Sequence, residues 1–82
     1  MRIDKFLNSV NITKRRSIAE DMLVHNIIFI NGKICKKSKN IKVGDIIKLQ
    51  YLEYYDMFEV LQIPKTKSIP KGKQEEFVCL MK

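Results

Sequence analysis

At 82 residues, with 45% hydrophobic and 30% charged side chains and no low-complexity tract, the chain has the size of one small domain and too little core for a cofactor cavity of ordinary volume. Its net charge of +7 is one-sided: residues 1–44 hold ten Lys/Arg against three Asp/Glu, and residues 45–82 hold six of each. That asymmetry is the footprint of a polyanion binder. Two distant cysteines and a single histidine argue against a disulfide framework or zinc site, and no apolar run approaches the ~18 residues of a membrane span.

The segment Met1–Val10 is predicted to be a short helix, with Phe6, Leu7 and Val10 at helical spacing. Asp4 is placed to cap or charge-complement its start, flanked by Arg2 and Lys5. A carboxylate there also suits a fork-like pair that holds Arg2 in one rotamer. Asn8, Asn11 and Thr13 supply a turn into a second helix. Ser17 with Glu20 has capping-box spacing, while Thr13 is an alternative start one turn earlier. Ile18, Ala19, Met22 and Leu23 form its core-facing stripe. Met22 reads as core filler, and His25 as a side chain complementing the helix C-terminal dipole.

Asn26 stands where a left-handed residue ends the helix. Ile27–Ile30 reads as a buried strand, Asn31-Gly32 as a type I′ turn, and Lys33–Cys35 as the returning strand. Lys36, Lys37, Lys39 and Lys42 make a basic loop, and Gly44-Asp45 another turn. Strands are expected over Ile46–Leu52, Met57–Ile63 and Phe77–Met81, with Pro64–Lys73 a mobile polar loop. Tyr51, Tyr54 and Tyr55 lie in a segment that is not basic, so packing in the core or at the sheet edge is favoured over base stacking. The expected class is α+β: two N-terminal helices packed on a small, mainly antiparallel sheet.

No Ser/His/Asp set, carboxylate pair with a shaped pocket, metal cluster or glycine-rich phosphate loop offers catalysis, so the chain reads as a non-enzyme without cofactors. What remains is a phosphate-gripping surface. Lys14, Arg15, Arg16 and Ser17 gather where the second helix opens, and its unpaired N–H groups favour an anion. Arg2 and Lys5 join them from the first helix end, and Lys33, Lys36 and Lys37 are further candidates. Such contacts position a nucleic acid without reading its sequence. Replacing Arg2 or Arg16 by Ala is expected to weaken RNA binding by ~1–3 kcal/mol with unfolding nearly unchanged.

The ordered set Arg2-Ile3-Asp4-Lys5-Phe6-Leu7, Arg16-Ser17-x-Ala19, Ile28-x-Ile30-Asn31-Gly32 and Val43-x-Asp45 resembles the αL RNA-binding domain of ribosomal small-subunit protein four. The resemblance covers about residues 1–50, with Asn26 standing where the family usually has Gly. On this reading 1–82 is a single RNA-binding domain, with its motif core in about 1–50 and sheet completion in 51–82. The short length and the start Met-Arg-Ile-Asp-Lys-Phe-Leu look most like the stand-alone bacterial members that act in ribosome-associated quality control. The related heat-shock members usually carry a basic C-terminal extension.

The resemblance implies a factor that binds obstructed large ribosomal subunits through ribosomal RNA and peptidyl-tRNA, holding the tRNA in its P-site position while a partner adds alanines to the stalled chain. It makes Arg2 and Arg16 the principal RNA contacts, with Asp4 supporting Arg2. The expected setting is the cytoplasm, without membrane partners and with a monomer as default. The alternatives are a heat-shock-type recycling or ribosome assembly factor, the RNA-binding subunit of an RNA-modifying enzyme, and a DNA-binding protein.

Overall fold

The computed structural model describes residues 1–81. Two helices, α1 (Ile3–Ser9) and α2 (Arg16–Val24), precede a five-stranded sheet of β1 (Ile28–Ile30), β2 (Lys33–Ile34), β3 (Ile46–Gln50), β4 (Tyr55–Val60) and β5 (Val78–Met81). The sheet order is β2-β1-β3-β4-β5, and every neighbouring pair is antiparallel. The class expected from the sequence is the one observed.

A seven-residue helix such as α1 has no stability of its own in water. Burial holds it: Ile3, Phe6, Leu7 and Val10 recur on one face and are fully enclosed, each contributing about 1.5–3 kcal/mol of transfer free energy. Ala19, Met22 and Leu23 of α2 close over the same core from the side, and Ile28, Ile30, Ile47, Leu49, Val60 and Val78 rise into it from the sheet. Ile18 corrects the expected stripe, being 41% exposed. It lies about 100° around the helix from Ala19, at the margin of the buried face.

Turn residues behave as their chemistry dictates. Asn11, Asn26 and Asn31 take positive φ values of 63°, 55° and 52°, and Gly32 follows at 84°. Asn31 and Gly32 therefore form the left-handed pair of a two-residue hairpin, with Ile30 facing Lys33 across it. Asn31 also joins the hairpin to β3. Its side-chain nitrogen donates to Asp45 Oδ1 at 3.1 Å, and its side-chain oxygen accepts the Ile46 amide at 3.0 Å. Asp45 Oδ2 accepts the Lys42 amide at 2.9 Å, closing the turn around Gly44. Tyr51 stacks on Tyr54 at 4.6 Å between ring centroids beside the β3–β4 turn, and Tyr51 itself is partly buried against the core.

The expected loop Pro64–Lys73 is irregular over Pro64–Pro70, and its last three residues open a 3-10 helix instead. The segment is strapped across the C-terminal end of α1. Ser9 Oγ donates to the Lys67 carbonyl at 2.7 Å, the Ile69 amide to the Ser9 carbonyl at 3.0 Å, and Asn11 Nδ2 to the Ile69 carbonyl at 2.8 Å. Pro64 and Ile69 are buried beneath it. A 3-10 helix, Lys71–Glu76, then leads into β5, and Gln74 Nε2 donates to the Val10 carbonyl at 2.6 Å. The carbonyls at the end of α1 need partners. The strap supplies them, which fixes it.

Candidate nucleic-acid interface

The two helix starts meet at one carboxylate. Asp4 lies in the first turn of α1 with its side chain fully buried. Its Oδ2 accepts from Arg16 Nε at 3.1 Å and from Arg2 Nη2 at 3.4 Å, and its Oδ1 accepts the Lys5 amide at 2.8 Å. Burial on its own raises the Asp4 pKa. The Lys5 amide, the Arg16 hydrogen bond and the charges of Arg16 and Arg2 outweigh that and hold the group below its ordinary value. Asp4 is therefore ionised at neutral pH and orients two guanidinium groups. It does not cap α1, whose start shows no side-chain cap. Arg2 and Arg16 remain 45% and 48% exposed, so each keeps most of its N–H groups free toward solvent. Glu20 approaches Arg16 from one turn further along α2, at 3.9 Å.

The capping box expected at Ser17 and Glu20 is absent. The helix opens at Arg16, with extended Arg15 as its N-cap and no side-chain cap bond, which places Ser17 inside the first turn and exposed. Thr13 does not open it either; it is buried in the preceding bend. Glu20 is drawn instead toward Arg16, the stronger electrostatic partner at that spacing. Because no side chain among the described residues caps the α2 N-terminus, the anion-favouring end is left open beside Arg15 and Arg16.

The basic loop is held against the same end of the molecule. The Ile3 amide donates to the Lys39 carbonyl at 2.9 Å and the Ile41 amide to the Met1 carbonyl at 2.8 Å, so Arg2 faces Asn40 across a short antiparallel bridge. This pairing explains why the helix begins at Ile3, later than expected: Met1 and Arg2 are extended against the loop. Lys33, Lys36 and Lys39 line a recess of about 310 Å³ with Cys35 and Ser38. Lys37 lies exposed beside it in the same loop, and Lys5 is exposed on α1 next to Asp4. Lys14 faces a different recess, shared with Lys71 of the 3-10 helix.

Among the sequence-derived candidates, the Arg2 and Arg16 side chains and the Lys5 backbone amide thus converge on Asp4, Lys33 and Lys36 share a neighbouring recess, and Lys14 stands with a lysine from the other half of the chain. Sequence reasoning passed over Lys39, although it belongs to the same basic run. It had no signal for Lys71, which reaches its place through the strap. Among the described residues, no group of three or more His, Cys, Asp or Glu side chains is placed to hold a metal ion.

The S4 domain family profile matches residues 1–47. Proteins from two Helicobacter pylori strains, each called RQC P-site tRNA stabilizing factor, are 46% identical to this chain over 79 residues, covering 96% of it and 94% of their own length. A Streptococcus pneumoniae protein of the same name is 32% identical over 63 residues, covering 77% of this chain and 72% of its own. The solution structure of a hypothetical protein, HP1423, matches with a TM-score of 0.85 at 40% identity, covering 100% of this chain and 98% of that one. The trimeric structure of Vibrio cholerae heat shock protein 15 matches with a TM-score of 0.87 over 99% of this chain and 81% of that one; at 22% identity this is a likeness of fold.

Proposed function

The chain belongs to the S4 domain family, and on that premise we propose that it is a non-catalytic RNA-binding factor of ribosome-associated quality control, holding tRNA in the P-site position on stalled large ribosomal subunits. The observation that carries this reading is the pair of half-exposed arginines, Arg2 and Arg16, both oriented by buried Asp4. A pre-set pair of planar forks suits adjacent backbone phosphates, because little side-chain entropy is left to lose on binding. The name borne by relatives that match nearly the whole chain supplies the biological setting.

In this reading Arg2 and Arg16 are the principal RNA contacts. Lys5, Lys14, Arg15, Ser17, Lys33, Lys36 and Lys37 flank them. Residues 1–82 act as one RNA-binding domain, with the motif core in about 1–50 and the rest completing the sheet. Large-subunit ribosomal RNA and peptidyl-tRNA are the partners, the alanine-tailing factor acts on the same particle, and the protein works as a cytoplasmic monomer.

The test is co-purification. A tagged copy is expected to recover free large subunits bearing peptidyl-tRNA, and a copy carrying both Arg2→Ala and Arg16→Ala is expected to lose them. Recovery of intact ribosomes or of DNA alone would overturn the assignment.

A further inference from the structure

A second basic recess, of about 430 Å³, is lined by Asn11, Thr13, Lys14, Lys71 and Gln74. It joins the α1–α2 turn to the 3-10 helix, two segments that come together because the strap binds the end of α1. Two lysines and no carboxylate are among its lining residues. Thr13 is only 5% exposed, and its hydroxyl is a buried side-chain polar atom with no hydrogen-bond partner among the described residues. A buried hydroxyl left unpaired is uncommon, because it loses water without gaining a replacement. The amide nitrogens of Asn11 and Gln74 each donate one bond to a carbonyl and retain a second N–H.

We propose that this recess is a phosphate-binding site, with Lys14 and Lys71 as its cations and the Thr13 hydroxyl as a neutral donor at its floor. Positive charge on both sides, spare N–H donors on the walls and an unsatisfied hydroxyl beneath match a group with several acceptor oxygens and net negative charge. The site lies outside the Asp4 cluster and half of its charge comes from Lys71, beyond the residues matched by the family profile. The phosphate is either a backbone group of the bound RNA, in which case the site rests on the function proposed above, or a free phosphate-bearing ligand.

Three proteins separate these sources: the wild type, Lys71→Gln and Thr13→Val. Lys65→Gln, an exposed lysine of the same strap that does not line the recess, is the charge control. RNA affinity is measured across a salt series, and amide resonances are followed during titration with inorganic phosphate at constant ionic strength. For an RNA phosphate, Lys71→Gln weakens RNA binding ~3–10-fold and flattens the log K against log salt slope by about 0.7–0.9, while Lys65→Gln does neither. Thr13→Val weakens binding without lowering the melting temperature, since the hydroxyl it removes makes no bond within the fold. For a free ligand, inorganic phosphate shifts the Thr13, Lys14 and Lys71 amides saturably and the variants abolish those shifts, yet RNA affinity is unchanged. If neither RNA affinity nor the phosphate-induced shifts respond to Lys71→Gln, the site does not exist. Loss of RNA binding in Arg16→Ala alongside that result would leave the function proposed above standing. Saturable phosphate binding in a wild type that binds no RNA would do the reverse.

Discussion

Arg16 Nε donates to Asp4 Oδ2 at 3.1 Å across twelve positions of sequence, tying the first turn of α2 to the first turn of α1. Arg2 reaches the same oxygen at 3.4 Å. One buried carboxylate therefore sets the directions of two cations and the relation between two helix ends. The arrangement makes folding and the proposed RNA grip depend on a common group.

The first consequence concerns pH. Asp4 has a folded pKa below its ordinary value of 3.8, so its contribution to stability is complete above that value and is lost as pH falls through the lower folded pKa. Asp4→Asn is expected to destabilise the protein by about 1–3 kcal/mol at pH 7, toward the low side for a buried pair because both arginines reach solvent. Urea melts at pH 7 and pH 3 test this: the gap between wild type and variant should narrow at pH 3. An equal gap at both values would mean that ionisation of Asp4 contributes nothing.

Arg16 should reveal both of its roles when its substitutions are compared. Arg16→Ala strips one of three donors from a buried carboxylate, so unfolding shifts by about 1–2 kcal/mol, which revises the unchanged stability expected from sequence. RNA affinity should fall ~10-fold or more, with a salt slope shallower by about 0.7–0.9. Arg16→Lys keeps the charge and loses the planar fork, so affinity drops while the slope is retained. A Lys variant that binds like wild type would show that charge alone matters at this position.

The strap can be loosened at one atom. Ser9→Ala removes the donor to the Lys67 carbonyl and should cost about 1–2 kcal/mol. Trypsin cleavage after Lys65 and Lys67 is the sensitive readout, expected to accelerate in the variant under native conditions. Equal cleavage rates would mean that Ser9 does not hold the segment.

The two thiols should differ in reactivity. Cys79 is exposed, whereas burial pushes the Cys35 thiol up to about 11 despite the nearby positive charge of Lys39. At pH 8 only about one part in a thousand of Cys35 is thiolate. A thiol-disulfide reagent should therefore modify one cysteine rapidly and the second only after denaturant is added. Two equally fast modifications would contradict the burial of Cys35.

Local chemistry was legible in the chain without coordinates. Asn26 and Asn31 take the left-handed conformations their side chains tolerate, Gly32 completes the hairpin, and the apolar spacing of Phe6, Leu7 and Val10 marks the buried face of α1. Each of those outcomes depends on a few consecutive residues. The one-sided charge was equally plain, because it is a count.

Tertiary structure decided how those pieces were used. Sequence offered Asp4 as a cap or a complementing charge at the start of α1 and as a partner for Arg2, and Ser17 as the head of a capping box; Asp4 lies in the first turn and pairs with Arg2 without capping, and the capping box does not form. Asp4 became a buried anchor because α2 packs close enough for Arg16 to reach it. The strap and Lys71 were equally hidden, since Ser9 and Lys67 are 58 positions apart and Gln74 lies 64 from Val10. Propensity and periodicity act within a few residues, whereas a buried charge is stable only where distant parts of the chain bring it partners.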